Sequence, residues 1–182
     1  MDPNIVIFWT AEDWAEWLWQ EMKQGRLRQG WAPPGASLIE HGARLDKRTW
    51  KQRYVEGALR GWKVDESDEI ITEKKVESRH QILSHMLELK RGDVVLVPRM
   101  PSEQEMTVAP VSGPYTFDDR HYVTVHHDMG HVIPVDSCAL RTYGYGHSGA
   151  TRRISSMFRH YRSAVTSVRN EGIRHLILEL AR

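Results

Sequence analysis

Leu89-Lys90-Arg91-Gly92-Asp93-Val94-Val95-Leu96-Val97 is the stretch on which the fold turns. Arg91-Gly92-Asp93 has the residue types of a tight turn, with Gly free to take positive φ and Asp tolerant of it. Upstream, Val76, Ile82, Leu83, Met86, Leu87 and Leu89 predict a helix over about Glu73–Lys90. Downstream, Val94–Val97 is a continuous apolar strand. A helix therefore hands over to a strand at Gly92-Asp93, and the two sides of that point read differently.

On the C-terminal side, Met106–Val111 pairs with Val94–Val97 as a hairpin across Pro98–Glu105. Tyr115–Phe117, Tyr122–His126 and His131–Val135 read as further strands, with Asp128-Met129-Gly130 as a turn. On the N-terminal side, Ile5–Trp9 is a short strand and Thr10 an expected N-cap, with Asp13 three residues on. Trp14, Trp17, Leu18 and Met22 form one apolar stripe of the helix that follows, which Gly25 ends; Trp19 falls off the stripe. Arg26–Trp31 then runs extended to the Pro33-Pro34-Gly35 turn. Leu45–Trp62 reads as a basic helix from about Asp46 to about Gly61, followed by an acidic linker, Asp65–Glu69. Near the C-terminus come a Gly-rich loop, Tyr143–Gly149, an Arg-rich helix, Thr151–Val168, and an apolar segment of open type, Ile173–Leu180. Helices first and strands second, without βαβ alternation, predict an α+β fold on a mostly antiparallel, barrel-like sheet.

The 182 residues suit one domain, or one domain over 1–140 with an Arg-rich helical extension over 141–182 that packs on it or links to an effector. No run approaches the ~18 apolar residues of a membrane span, and the start, Met1-Asp2-Pro3-Asn4, lacks a signal-peptide pattern. The one cysteine, Cys138, excludes an internal disulfide and a Cys-based zinc site, so a reducing cytoplasm is expected.

The net charge of +1 hides a polarised chain. Met1–Glu21 carries only acids, Lys23–Lys63 is mostly basic, Pro101–Leu140 is acidic, and Arg141–Arg182 has eight Arg against two Glu. Arg26, Arg28, Arg44, Lys47, Arg48, Lys51, Arg152 and Arg153 are candidates for phosphate contacts, because a guanidinium fork matches phosphate oxygens bidentately. Solvated helix faces explain the same residues equally well.

Several chemistries can be weighed. His126, His127 and His131 with Asp128 suggest a metal site or, more simply, a polar hairpin tip, since adjacent strand residues face opposite ways. Glu73-Lys74-Lys75, with Asp65 and Asp68 upstream, is formally a nuclease E-x-K, so a metal-dependent nuclease using Glu73 and Lys75 is one alternative function. Yet Thr72 reads as an N-cap and Glu73 as first-turn acid, which the helix dipole accounts for. Cys138 has no arranged histidine, and neither Ser112-Gly113 nor Gly144–Gly149 is followed by the Gly-Lys-Ser/Thr of a P-loop. No cofactor is expected. Seven Trp is many for this length, and Trp31 differs from the rest. It ends a polar, basic run, where a ring flanked by Arg suits an unstacked base as well as structural packing.

Three pieces in order carry a resemblance: Gly25-Arg26-Leu27-Arg28-Gln29-Gly30-Trp31; the helix-to-strand entry at Gly92-Asp93-Val94-Val95; and Val108-Ala109-Pro110-Val111-Ser112-Gly113-Pro114-Tyr115-Thr116-Phe117. Over roughly Ile5 to Val135 the chain resembles the EVE branch of the PUA-like superfamily, related to YTH domains. It particularly resembles the reader domains of modification-dependent restriction systems such as the McrBC and Mrr types. The resemblance implies a small twisted β-barrel flanked by helices, holding a modified base such as 5-methylcytosine or N6-methyladenine flipped from double-stranded DNA. It implies Trp31 as one pocket wall, with Tyr115, Tyr122 and Trp62 as further lining. It implies binding without catalysis, any nuclease or NTPase residing in another domain or subunit; an RNA-binding PUA-like module is the alternative. The family's Trp after the Gly-x-Tyr-x-Phe strand is absent here, where Asp118-Asp119 and His121–His127 stand.

Overall fold

Ile5-Val6-Ile7-Phe8 and Val94-Val95-Leu96-Val97 lack polar alternation because the sheet they form is covered on both faces. In the computed structural model, which describes residues 2–61, 72–119 and 128–182, these runs are β1 (Ile5–Phe8) and most of β5 (Val94–Pro98). Between them lie β2 (Arg26–Gln29), β3 (Ile39–Glu40) and β4 (Ala43–Arg44). After them come β6 (Glu105–Pro110), β7 (Thr116–Phe117), β8 (His131–Pro134), β9 (Arg141–Gly144) and β10 (Val165–Ser167). The helices are α1 (Ala15–Lys23), α2 (Lys47–Gly61), α3 (Glu73–Ser84), α4 (Gly149–Met157) and α5 (Glu171–Leu180).

The main sheet runs β10-β1-β5-β6-β9. The β5–β6 hairpin is where the sequence places it, pairing Val94 with Pro110 and Pro98 with Met106. β1 pairs parallel to β5, Ile5 opposite Val94, so the sheet is mixed. Val6, Phe8, Val95 and Val97 face one core with Leu18, Met22, Trp50, Tyr54, Leu83 and Met86 of α1–α3 and the 3-10 turn after α3. Ile5, Ile7, Val94 and Leu96 face a second core with Ile154, Phe158, Ile173 and Ile177. A second sheet, β2-β8-β7, joins the first at a corner through the Val111–Val135 bridge, and β3-β4 is a small hairpin. The architecture is α+β; among the described residues the sheets are open and no closed barrel forms.

Some local expectations differ from the structure. Thr10 does not cap α1: the chain enters through a 3-10 turn, Glu12–Trp14, after Ala11, so Asp13 lies inside that turn and makes no capping box. The Arg-rich stretch expected as a helix over Thr151–Val168 is helical only to Met157, with a 3-10 turn to His160. Val165–Ser167 instead pairs antiparallel with β1, because the β-branched Val165 and Thr166 find an open sheet edge there. Ile173–Leu180 is the body of α5, capped by Asn170 accepting from the Ile173 N–H. Residues 141–182 therefore supply both outer strands of the main sheet and the helices over its second core.

One glycine is required by packing. A Cβ on Gly57 of α2 would sit 2.2 Å from the Pro34 carbonyl oxygen, so only Gly lets α2 press against the Pro33-Pro34 turn. That contact positions the loop carrying Trp31. The expected strand Tyr122–His126, the acidic linker, and Trp62, Tyr122, His126 and His127 lie outside the described residues.

Candidate functional site

Trp31 leaves the end of β2 with φ +61, a left-handed backbone that costs a bulky residue on the order of 1 kcal/mol or more. Three contacts hold it there. Its N–H donates to Asp128 Oδ2 at 3.2 Å, the Ala32 N–H donates to the Asp128 carbonyl, and His131 Nε2 lies 3.3 Å from the Trp31 carbonyl. The Arg79 guanidinium lies over the indole, 5.3 Å from its centroid, and its Nη1 donates to Tyr54 Oη.

The tautomer of His131 follows from its neighbours. The Trp31 carbonyl can only accept, so Nε2 carries the proton and Nδ1 accepts from the Tyr115 hydroxyl at 2.7 Å. Tyr115 Oη accepts in turn from the Leu38 N–H at 3.3 Å. Full burial pushes the imidazole down to about 3, so it is neutral in the folded chain. Burial likewise pushes the Tyr115 phenol up. Tyr115, expected to line a pocket beside Trp31, is only 3% exposed and is instead a prop beneath it. A residue pointing inward from the start of β7 has no route to the surface cleft.

The companions of Trp31 come from elsewhere. Trp9, Trp14 and Trp31 line one surface cleft of about 420 Å3, with Gln29, Asp128 and Arg162 among its polar walls. That size lies within the range of small-ligand sites. Trp9 is fixed by the C-terminal segment: its N–H donates to the Ala164 carbonyl, its indole N–H to the Tyr161 carbonyl, and its ring packs edge-on against Phe158. Gln29 is 8% exposed, and its Oε1 is buried without a hydrogen-bond partner among the described residues. An unsatisfied buried acceptor in a cleft wall is unusual in a native fold. The sequence reading missed Trp9, Gln29 and Arg162 and assigned Trp14 to core packing. The available signal was position, since Trp9 and Trp31 both stand just past the end of a strand.

The cationic candidates divide. Arg28 is buried, with its side chain 1% exposed: Nε bonds Glu21 at 2.5 Å, Nη2 bonds Asp118 at 3.2 Å and Nη1 donates to the Met129 carbonyl. It ties α1, β2 and the strand ends together and offers nothing to a phosphate. Arg26 also pairs with Glu21 at 2.7 Å. Hydrogen bonding to Arg26, then to Arg28, with the charge of both, holds the Glu21 carboxyl down at about 2 against the opposing effect of burial. Lys47 pairs with Glu77, and Lys51 with Glu73 at 2.9 Å, linking α2 to α3. Arg44, Arg48, Arg152 and Arg153 are exposed.

Glu73 opens α3 behind Thr72, whose hydroxyl accepts from the Lys75 N–H, so the Glu-x-Lys sits in a capped first turn. Its upstream Asp65 and Asp68 lie outside the described residues. Among the described residues no three His, Cys, Asp or Glu side chains cluster as metal ligands, and Cys138 is exposed in a short turn capped by Asp136. Nor is any helix among them long and apolar enough to cross a membrane. Fold and site together define an α+β chain with an indole-lined surface cleft at the junction of its two sheets and its C-terminal segment. No family model, curated protein or solved structure matches the chain.

Proposed function

We propose that this cleft receives a single nucleobase, carrying a modification such as a methyl group and turned out of double-stranded DNA. The chain would then be the specificity module of a restriction or defence system. The observation that carries this reading is the convergence of Trp9, Trp14 and Trp31 on one cleft with Arg162 at its wall. Indole faces provide π surface for an unstacked base and a cation suits the adjoining phosphate. Gln29 and Asp128 supply polar groups for the base edge, where hydrogen bonds discriminate. Turning a base out costs a few kcal/mol, which stacking at roughly 1–3 kcal/mol per ring offsets in part. Phosphate contacts contribute the remainder in a salt-dependent way. No bond is made or broken in this mechanism, and cleavage or nucleotide hydrolysis falls to another domain or subunit. Membership of the PUA-like superfamily and its small barrel belong to the same proposal.

The test is binding of the purified chain to otherwise identical duplexes with and without 5-methylcytosine or N6-methyladenine. Tighter binding of one modified duplex is expected, and Trp31→Ala or Trp9→Ala should weaken it about 5- to 150-fold, the equivalent of ~1–3 kcal/mol. Equal affinity for modified and plain duplex would sink the reading, and preference for single-stranded RNA would move the chain to the RNA-binding alternative.

A further inference from the structure

The surface arginines are not equivalent, and their carboxylate partners sort them. On α2 and its neighbours, Lys47, Lys51 and Arg53 are matched by Glu77, Glu73 and Glu40, while among the described residues Arg44, Arg48 and Arg60 meet no carboxylate. On α4 and the turn after it, Arg152, Arg153, Arg159 and Arg162 are all exposed, and among the described residues none meets a carboxylate. The reason lies in composition. Residues 141–182 hold only two side-chain acids, Glu171 and Glu179, and these face Arg174 and His175 within α5. Arg152 and Arg162 donate instead to the carbonyls of Gly146 and Arg159.

This cationic face is rigidly mounted. Thr151, Ile154 and Phe158 are buried on the opposite side, and a capping box between Ser148 and Thr151 fixes the start of α4. Arg152 stands on α4 and Arg159 in the 3-10 turn that continues it, and both are exposed. The ridge also leads to the cleft, because Arg162 lines it and Tyr161 and Ala164 hold Trp9 in place.

We infer that the Arg152–Arg159–Arg162 ridge is the track for the phosphodiester backbone flanking the bound base, in preference to the half-neutralised face of α2. The inference rests on the base-binding reading above and adds the path of the strand. A row of guanidinium groups that meets no carboxylate among the described residues, running from α4 through the turn after it to an indole-lined cleft, fits a regularly spaced polyanion better than a single anion.

The experiment measures duplex affinity against salt concentration for the native chain, for R152Q/R159Q, and for R44Q/R48Q. Each lost phosphate contact lowers the log–log salt slope by about 0.9. The α4 pair should therefore lose close to two units of slope on modified and plain duplex alike, keeping the ratio between them. The Arg44 and Arg48 pair should keep the native slope. An unchanged slope in R152Q/R159Q with modification preference intact overturns the ridge and leaves the base reading standing. A reduced slope with no modification preference in any variant supports the ridge and removes the base reading. No duplex binding at all removes both. A parallel arm with phosphatidylserine vesicles covers the other polyanionic surface: vesicle binding lost in R152Q/R159Q, with the DNA slope unmoved, would also overturn the assignment. Matching melting temperatures confirm folding, as all four arginines are exposed.

Discussion

Lowering the pH should loosen this chain through one buried histidine. His131 is neutral in the fold, held down to about 3 by burial, while in the unfolded chain it titrates near the ordinary 6.5. Between those values the unfolded chain binds more protons, so stability is full above about pH 6.5 and falls as pH drops toward 3. At pH 5.0 the loss relative to pH 7.5 is about 2 kcal/mol, from 1.36 kcal/mol for each of the ~1.5 pH units below 6.5. With a urea dependence of about 2 kcal/mol per molar, the midpoint should drop by about 1 M. The assay is urea unfolding followed by tryptophan fluorescence at the two pH values, for the native chain and for His131→Phe. The variant removes the titration and strands the Tyr115 hydroxyl and Trp31 carbonyl, so it should be less stable at pH 7.5 by about 1–3 kcal/mol. Its midpoint should nevertheless move less with pH. His80, which burial and the nearby Arg44 and Lys47 charges also push down, against Glu77, contributes to what remains. Glu21 contributes little in this window, since its stabilisation is lost only as pH falls from 4.5 toward 2. An equal drop in midpoint for both proteins would refute the assignment of the acid response to His131.

Glu21→Gln should destabilise the chain by about 3–5 kcal/mol, because it leaves the buried Arg28 guanidinium short of its 2.5 Å partner. A thermal melt indistinguishable from the native one would show that Asp118 and the Met129 carbonyl suffice for Arg28. Gly57→Ala should cost about 1–3 kcal/mol through the 2.2 Å approach of its Cβ to the Pro34 carbonyl. Calorimetry checks this, and an unchanged transition would mean that α2 can withdraw from the Pro33-Pro34 turn without loss.

The left-handed Trp31 and the neutral His131 belong together. The strain at φ +61 persists because the Leu38–Tyr115–His131 hydrogen-bond chain and Asp128 leave the Trp31 backbone few alternatives. A fixed ring at a cleft is what binding without reorganisation requires. The same arrangement places Tyr115 in the support of the site, which explains why its position in sequence resembles that of a pocket residue while its side chain never reaches the cleft.

What the sequence determined by itself is local. The helix-to-strand passage at Arg91-Gly92-Asp93, the β5–β6 hairpin, the Leu18 and Met22 core face of α1 and the α+β class follow from periodicity and turn residues within short windows, and each stands in the structure. Trp31 also stands out in the sequence, because a ring after Arg26-Leu27-Arg28-Gln29-Gly30 has no place on an amphipathic face. Its partners were not. Trp9 is held by Tyr161, 152 residues away, Arg28 by Met129, 101 away, and the Trp31 carbonyl by His131, 100 away. Composition marked Arg28 and Arg152 alike as surface cations, and only the distribution of carboxylates in space separates the buried strut from the open ridge. A charge states its own sign in the sequence; whether it is free depends on which distant group folding brings against it.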